Sequence, residues 1–487
     1  MVQHKGLKII DANEINPKRQ GINVITNLTT SVECNVKKIF ITIMVLLPLY
    51  LPAQHPEDTV RLKLDLPLFD LPYQIDAKNA VGRGFFSSYA NPSMKQSLDV
   101  STNIYSAFHF GMKQWNEKNK IRDPLLKRLS YQSGILLGNF LLFYLPGSEG
   151  WLHEEYHRAV MSRYNINSFN GMNLFPIGAE AVSITKVEDE GLIRLKDRSP
   201  ADMVRLHAAG IEGQYLLIDN LQRNNFFYDM NLFNVFMYWM STINSHAYIF
   251  MSSSSNFVDK LTEEMNAKEN AIPSRDFTGI DFTAWVYDLF RPHEPYQARG
   301  VHPSGVGINR YRTTQDLTSE ELKYLKRQGI WHFVNYLSPM LYGINNIRLG
   351  DNGLTGNFAI RHLLTSFGTD ITAHVYLKKE PYKMAFAYHN YLNYKHYFPA
   401  VEAELVDYPF RFMYFSPRAI IGMQPKNHDF RSGEAEFLGL LGLRVDFLAS
   451  QRFLPYFDFT YKTNGWIAGN EFLSSNASVR IGLSARF

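Results

Sequence analysis

The segment Ala477–Phe487 alternates without an error. Ala477, Val479, Ile481, Leu483, Ala485 and Phe487 fall on one side, and Ser478, Arg480, Gly482, Ser484 and Arg486 on the other. A period of two sends successive side chains to opposite faces of a strand, so this stretch reads as a strand with one apolar and one polar face. The pattern recurs upstream. Ile371, Val375 and Leu377 oppose Thr372, His374 and Lys378. In 433–448, Ala435, Phe437, Leu441, Leu443, Val445 and Phe447 oppose Glu434, Glu436, Arg444 and Asp446. In 452–463, Phe453, Phe457, Phe459 and Tyr461 oppose Asp458, Thr460 and Lys462. With further runs at 357–367, 382–391, 397–406 and 413–423, there are eight segments of roughly ten residues, the length a tilted strand needs to cross a bilayer. A soluble antiparallel sandwich or a lipocalin-like barrel alternates in the same way.

The stretch 477–487 resembles the closing strand of bacterial outer-membrane barrels, which ends in a Phe read by the insertion machinery. The resemblance implies an eight-stranded antiparallel transmembrane β-barrel over 355–487, with outer-membrane lipid and the barrel-insertion machinery as partners. Tyr388, Tyr391, Tyr397, Phe398, Tyr408, Phe410 and Phe412 cluster at strand ends, as interfacial girdles do. Toward the other end, Lys37 and Lys38 precede an apolar run from Ile39 to Leu51, followed by Pro52-Ala53-Gln54. A basic, then apolar, then small-residue order reads as a signal peptide over 36–53, with an N-terminal membrane anchor as the competing reading. Residues 1–35 are mostly polar and read as a doubtful leader in front of a true start near Val36. Discounting them removes Cys34 and leaves an exported chain without cysteine, and with none after the apolar run it is no lipoprotein. The expected location is the bacterial outer membrane, with the part preceding the barrel in the periplasm.

Composition excludes several classes. A mean hydropathy of −0.22 is too low for a chain of many helical spans. Fifty basic against 46 acidic residues, a net charge of +4, gives no electrostatic case for nucleic acid. One cysteine permits no intramolecular disulfide and no thiolate cluster. Any metal site must therefore use histidines and carboxylates.

The preceding segment, 54–350, shows longer helical patterns and reads as a mainly helical domain, making the whole chain α+β. Within it lies His153-Glu154-Glu155-Tyr156-His157, an H-E-x-x-H motif. On a helix, positions i and i+4 share a face, so His153 and His157 can bind one metal ion, with Glu154 beside it as a proton acceptor. The bland reading is a polar helix face with two solvated or core histidines. Pro146-Gly147-Ser148 supplies a stop and a cap for that helix, and Ser199-Pro200-Ala201-Asp202 opens another. On the second helix, Ala208, Ala209, Gly210 and Gly213 leave one face without bulk, and Glu212 lies between the glycines. The pair resembles the gluzincin metallopeptidases, with H-E-x-x-H on one helix and Glu on the next. That resemblance implies a Zn²⁺ site of His153, His157 and Glu212, with His207 as the next candidate ligand and Asp219 orienting a ligand from behind. Motif and resemblance together imply Glu154 as general base.

Two apolar runs, Ile135–Leu145 and Met230–Met251, pass for membrane spans at first sight. The first is too short to span, and the second carries Asn231, Asn234, Asn244, Ser245 and His246, so it reads as a core helix. As true spans they would turn the reading toward an inner-membrane protease of the site-2 type. Residues 283–312 read as a Pro-, Gly- and Arg-rich loop, whose Arg299, His302 and Arg310 are of the kind that line a cleft or wrap a surface. Thr318-Ser-Glu-Glu321 is a capping box opening a helix to about Gln328. The expected function is that of an outer-membrane-anchored zinc metallopeptidase-like protein acting on peptides in the envelope. The alternative is a non-enzymatic barrel protein whose soluble domain binds a partner or a structural metal.

Overall fold

The structure, a computed structural model, describes residues 60–77, 90–173, 183–448, 450 and 452–487. The doubtful leader over 1–35 and the signal peptide over 36–53 lie outside the described residues. The chain is α+β, with helices gathered before residue 335 and one large antiparallel sheet.

That sheet has eleven strands: β1 (Lys63–Leu71), β2 (Ile347–Arg348), β3 (Thr355–Thr365), β4 (Gly368–Lys379), β5 (Tyr382–Leu392), β6 (Tyr397–Leu405), β7 (Tyr408–Phe410), β8 (Met413–Pro425), β9 (Ala435–Phe447), β10 (Phe453–Lys462) and β11 (Asn476–Arg486). Its order is β1-β11-β10-β9-β8-β6-β5-β4-β3-β2, with β7 beside β8. Nine of these strands are 9 to 13 residues long, and all of them but β1 coincide with the eight alternating runs of the sequence. The sheet also takes β1 from far upstream, and Lys63 lies opposite Arg486 in its register. Its alternation is short: Leu64, Leu66 and Leu68 share a period of two, and Phe69 directly after Leu68 breaks it at the bulge between Pro67 and Phe69.

One face of this sheet exposes its apolar side chains and the other covers its charged ones. On β9, Leu441 is 63% exposed and Phe437, Leu443 and Phe447 share its face, whereas Arg444 and Asp446 turn the other way toward the helices. Phe457, Phe459 and Tyr461 on β10, Ile421 and Met423 on β8, and Ile481 on β11 are likewise exposed. The polar face is covered. Asp458 and Asp70 both bind Arg480, at 3.2 and 3.1 Å.

Helices α1 (Met94–Lys118), α2 (Pro124–Leu142), α3 (Glu149–Arg163), α4 (Asp189–Arg198), α5 (Pro200–Phe227), α6 (Val235–Met251), α7 (Ser255–Lys268), α8 (Asp281–Phe290) and α9 (Ser319–Trp331) follow β1. The sequence signals hold at their starts. Ser199 Oγ accepts from the Asp202 backbone N–H at the head of α5, and Thr318 with Glu321 forms the capping box of α9. One expectation fails: 283–312 is not all loop, because α8 runs to Phe290. Phe282, Ala284, Trp285, Val286 and Leu289 are buried there, and no Gly or Pro interrupts before Pro292.

Helix α5 lies against the polar face of the sheet. Arg223 binds Glu404 at 2.6 Å, Tyr376 donates its hydroxyl to Asp219 at 2.5 Å, and Lys378 beyond its end meets Asp229 at 2.6 Å. Asn103 of α1 donates to the Asp65 carbonyl at 2.6 Å. Between these helices and the sheet lies a cavity of about 320 Å³, whose walls include Asp99, Asn103, Asp219, Arg223, Glu402 and Arg444. A charged interior of this kind persists only because its groups are paired.

Trp285 fastens the other side, donating to the Thr365 carbonyl of β3 at 3.0 Å from full burial. Trp285→Ala should destabilise the protein by about 3–5 kcal/mol, whereas Trp285→Phe, which loses mainly the hydrogen bond, should cost about 1 kcal/mol. Thermal and denaturant unfolding of the purified variants checks the ratio.

Candidate metal centre

Every residue of α3 from Glu149 to Ser162 is buried, although the helix is rich in polar groups. His153 and His157 lie one turn apart on it, their ring centroids 4.8 Å from each other. Between them sits a carboxylate from a distant part of the chain. Asp281 Oδ2 is 3.1 Å from His153 Nε2 and 3.5 Å from His157 Nε2. These three buried residues are the one group of His and acidic side chains, among the described residues, whose atoms converge as metal ligands do.

Several details orient the donors. His157 Nδ1 is 2.5 Å from the Leu206 carbonyl, to which it donates. That bond leaves Nε2 as the lone-pair nitrogen facing the group, the arrangement by which second contacts fix a ligating histidine. Nε2 itself is buried without a hydrogen-bond partner among the described residues. Asp281 stands at the first position of α8, where its backbone N–H donates to the Tyr248 hydroxyl at 3.1 Å. Two imidazole nitrogens and one carboxylate oxygen form a donor set that suits Zn²⁺ and similar divalent ions.

The charges agree with that geometry. Burial works against the Asp281 carboxylate, but His157 and His153 hold it below the usual carboxylate range. Burial would lower His157 as well, and Asp281 reverses this and raises it. Burial lowers His153, with His157 adding to the effect against its bond to Asp281. Glu154 is pushed well above the ordinary range by burial and by the neighbouring Asp276, Asp281 and Glu155. Glu155 is committed elsewhere, since Arg158 binds both its oxygens, at 2.7 and 2.6 Å. Of the two acids in the motif, Glu154 is the one with no ion pair among the described residues, and it feels the charge of Asp281.

Glu212, the third ligand expected from the sequence, does not belong to this group. It pairs with the fully buried Arg205 at 2.8 Å and accepts from Trp466 Nε1 at 3.2 Å and from the Gly469 N–H at 2.7 Å. The reason is helical phase. A Cβ placed on Gly210 would lie 2.4 Å from the His153 ring, so Gly210 faces the motif. Glu212 is two residues on, about 200° around the helix, and points away. Asp281, 128 residues beyond His153, takes the place expected of it. The only signal it gave was an acid at a helix start, which reads equally well as a partner for the helix dipole.

His207 is not brought into the group either. Its Nε2 lies 2.8 Å from Asp288, which Arg299 and Lys196 also bind, at 2.6 and 2.9 Å. Asp219 faces Tyr376 on the sheet side. Arg310 is buried and binds Asp189 at 2.8 Å and the Asp276 carbonyl at 3.3 Å. Arg299 and Arg310 therefore brace the segment carrying Asp276 and Asp281 and do not line a cleft.

No protein-family model, curated protein or solved structure matches the chain.

Two substitutions on α5 separate the roles of its residues. Gly210→Ala drives a methyl into the His153 ring and should weaken divalent-metal binding at least about tenfold while the helical circular dichroism is kept. Glu212→Ala should leave metal binding intact but cost about 3–5 kcal/mol in unfolding, since it strands Arg205 unpaired in the interior. Metal titration and unfolding curves on both variants check the assignment.

Proposed function

We propose that this protein is a zinc metallopeptidase-like hydrolase of the bacterial envelope, held in the outer membrane by its antiparallel sheet. The observation that carries the catalytic reading is the buried convergence of His153, His157 and Asp281 next to the uncommitted carboxyl of Glu154. A zinc ion held by those three residues would supply a Lewis acid that acidifies water and polarises a peptide carbonyl. Glu154 accepts the proton of the attacking water and passes it to the departing amine. Arg158 keeps Glu155 out of that exchange, and the Leu206 carbonyl holds the His157 ring in place.

The membrane reading is supported by the sheet. Its strands have the length of bilayer-crossing strands and turn apolar side chains outward and charged ones inward, as transmembrane barrels do. A barrel-type membrane wall built on the long strands, the signal peptide, and access to the metal centre from the periplasm are parts of the same proposal. No described helix is long and apolar enough to cross a membrane.

Metal analysis of the purified full chain tests the catalytic reading. One zinc per chain is expected, lost in His153→Ala and in Asp281→Ala. Glu154→Gln should keep the zinc and lose hydrolysis of an unfolded protein substrate by roughly 10²-fold or more. A metal-free wild-type protein, or an active Glu154→Gln, overturns it.

A further inference from the structure

The sheet is not the only surface built inside out. Helix α2 buries just Ile135 and Asn139, and Asn139 turns inward to within 3.1 Å of His109 Nε2 on α1. Its large apolar residues face the other way: Leu125, Leu126, Leu129, Leu136, Leu137, Phe140 and Leu141 are all exposed. From Leu129 to Leu145 there is no charged residue. A helix on a water-facing surface would show the reverse, with its apolar stripe inward and its polar side out.

Packing against α1 has a matching character. Gly134 and Gly138 are four residues apart, and a Cβ on them would lie 2.6 Å from Met112 Cε and 2.1 Å from the Phe108 ring. Small residues at that spacing bring helices into close contact where neighbouring lipid, not water, covers the remaining faces. Helix α6 is likewise free of Asp, Glu, Lys and Arg, and leaves Ile243, Phe250 and Met251 exposed.

These helices occupy a particular place. The strand path runs from β1 to β2, and no pairing joins those two ends among the described residues. A series of contacts does: β1 packs on α1, α1 on α2, α2 on α6, α6 on the turn Pro339–Tyr342, and that turn on β3. Along the same route the 3₁₀ segments leave Phe333, Leu337 and Tyr342 exposed, next to Phe358 of β3.

We propose that α2, α6 and the 332–342 turns complete the lipid-facing perimeter of the protein, so that acyl chains cover a wall made partly of strands and partly of helices. Continuity favours lipid over a protein partner: exposed apolar side chains of β3, the 332–342 turns, α6 and α2 follow one another along that chain of contacts from the outer sheet face. The proposal rests on the membrane reading of the sheet, and the experiment separates the two.

Single nitroxide labels are placed on the full chain in a Cys34→Ser background, at Leu137→Cys and Phe140→Cys on α2, Leu441→Cys on β9 and Glu263→Cys on α7. The protein is reconstituted in phosphatidylcholine vesicles, and collision rates with oxygen and with a water-soluble nickel chelate are read by electron paramagnetic resonance. The expected result is high oxygen and low nickel accessibility at 137, 140 and 441, with the opposite at 263. If 441 is lipid-exposed but 137 and 140 are nickel-accessible, the helical wall is overturned and the sheet reading stands. Dipolar broadening at 137 and 140 overturns it in favour of contact with a second copy. Nickel accessibility at 441 overturns the membrane reading of the sheet and this proposal with it.

Discussion

The arrangement depends on one close approach. Gly210 has no side chain, and the His153 ring fills the space a Cβ would need. One turn on, Gly213 does the same for the Tyr156 ring. Because α5 can lie this near α3, its three sides serve three purposes. One side backs the histidines and offers the Leu206 carbonyl to His157. A second carries Arg205 and Glu212 to the loop bearing Trp466 and Gly469. Its last turns carry Asp219 and Arg223 to the sheet. A single 28-residue helix thus couples the candidate metal centre to the strands.

An inside-out sheet creates a need that the helices meet. Charged groups turned inward from β1, β4, β6, β9 and β11 have no bulk water to solvate them fully, and each unpaired one would cost several kcal/mol. Arg223 with Glu404, Lys63 with the Tyr228 hydroxyl, and Arg480 between Asp70 and Asp458 answer that need locally. The helices that carry these partners thus cover the polar side of the sheet. The same need explains why β1, so remote in sequence, pairs with β11: Asp65 and Asp70 of β1 supply carboxylates to Arg444 and Arg480.

What could be read in the sequence follows from the range of each interaction. The eight long strands were legible because alternation is local and survives whatever a strand pairs with. The motif helix and the capped starts of α5 and α9 were legible for the same reason. The third member of the metal group was not. A small-residue stripe tells that a helix approaches closely, but which of its residues faces the neighbour depends on phase, and two residues of offset reverse the answer. Asp281 comes from a segment with no sequence link to α3, and α8 was hidden at the head of a stretch whose Pro and Gly residues begin only at Pro292. The exposed face of α2 was equally hidden, because a run of leucines reads the same whether it meets protein or lipid.

The long-range origin of Asp281 also decides what the arginine-rich stretch does. An Asp held between two imidazoles must be aimed by structure outside the group, since its own helix begins at that residue. The aim comes from behind. Arg310 grips the Asp276 carbonyl together with Asp189 and the Val187 carbonyl, while the Asp276 carboxylate accepts the N–H groups of Ile184, Thr278 and Gly279. That tight turn, with Gly279 at φ +79°, delivers the chain into α8 with Asp281 facing α3. On the far side, Arg299 and Lys196 hold Asp288 and through it His207. Both ends of the segment are thus clamped by buried guanidinium and ammonium groups, which holds the Asp281 carboxylate between the two histidines.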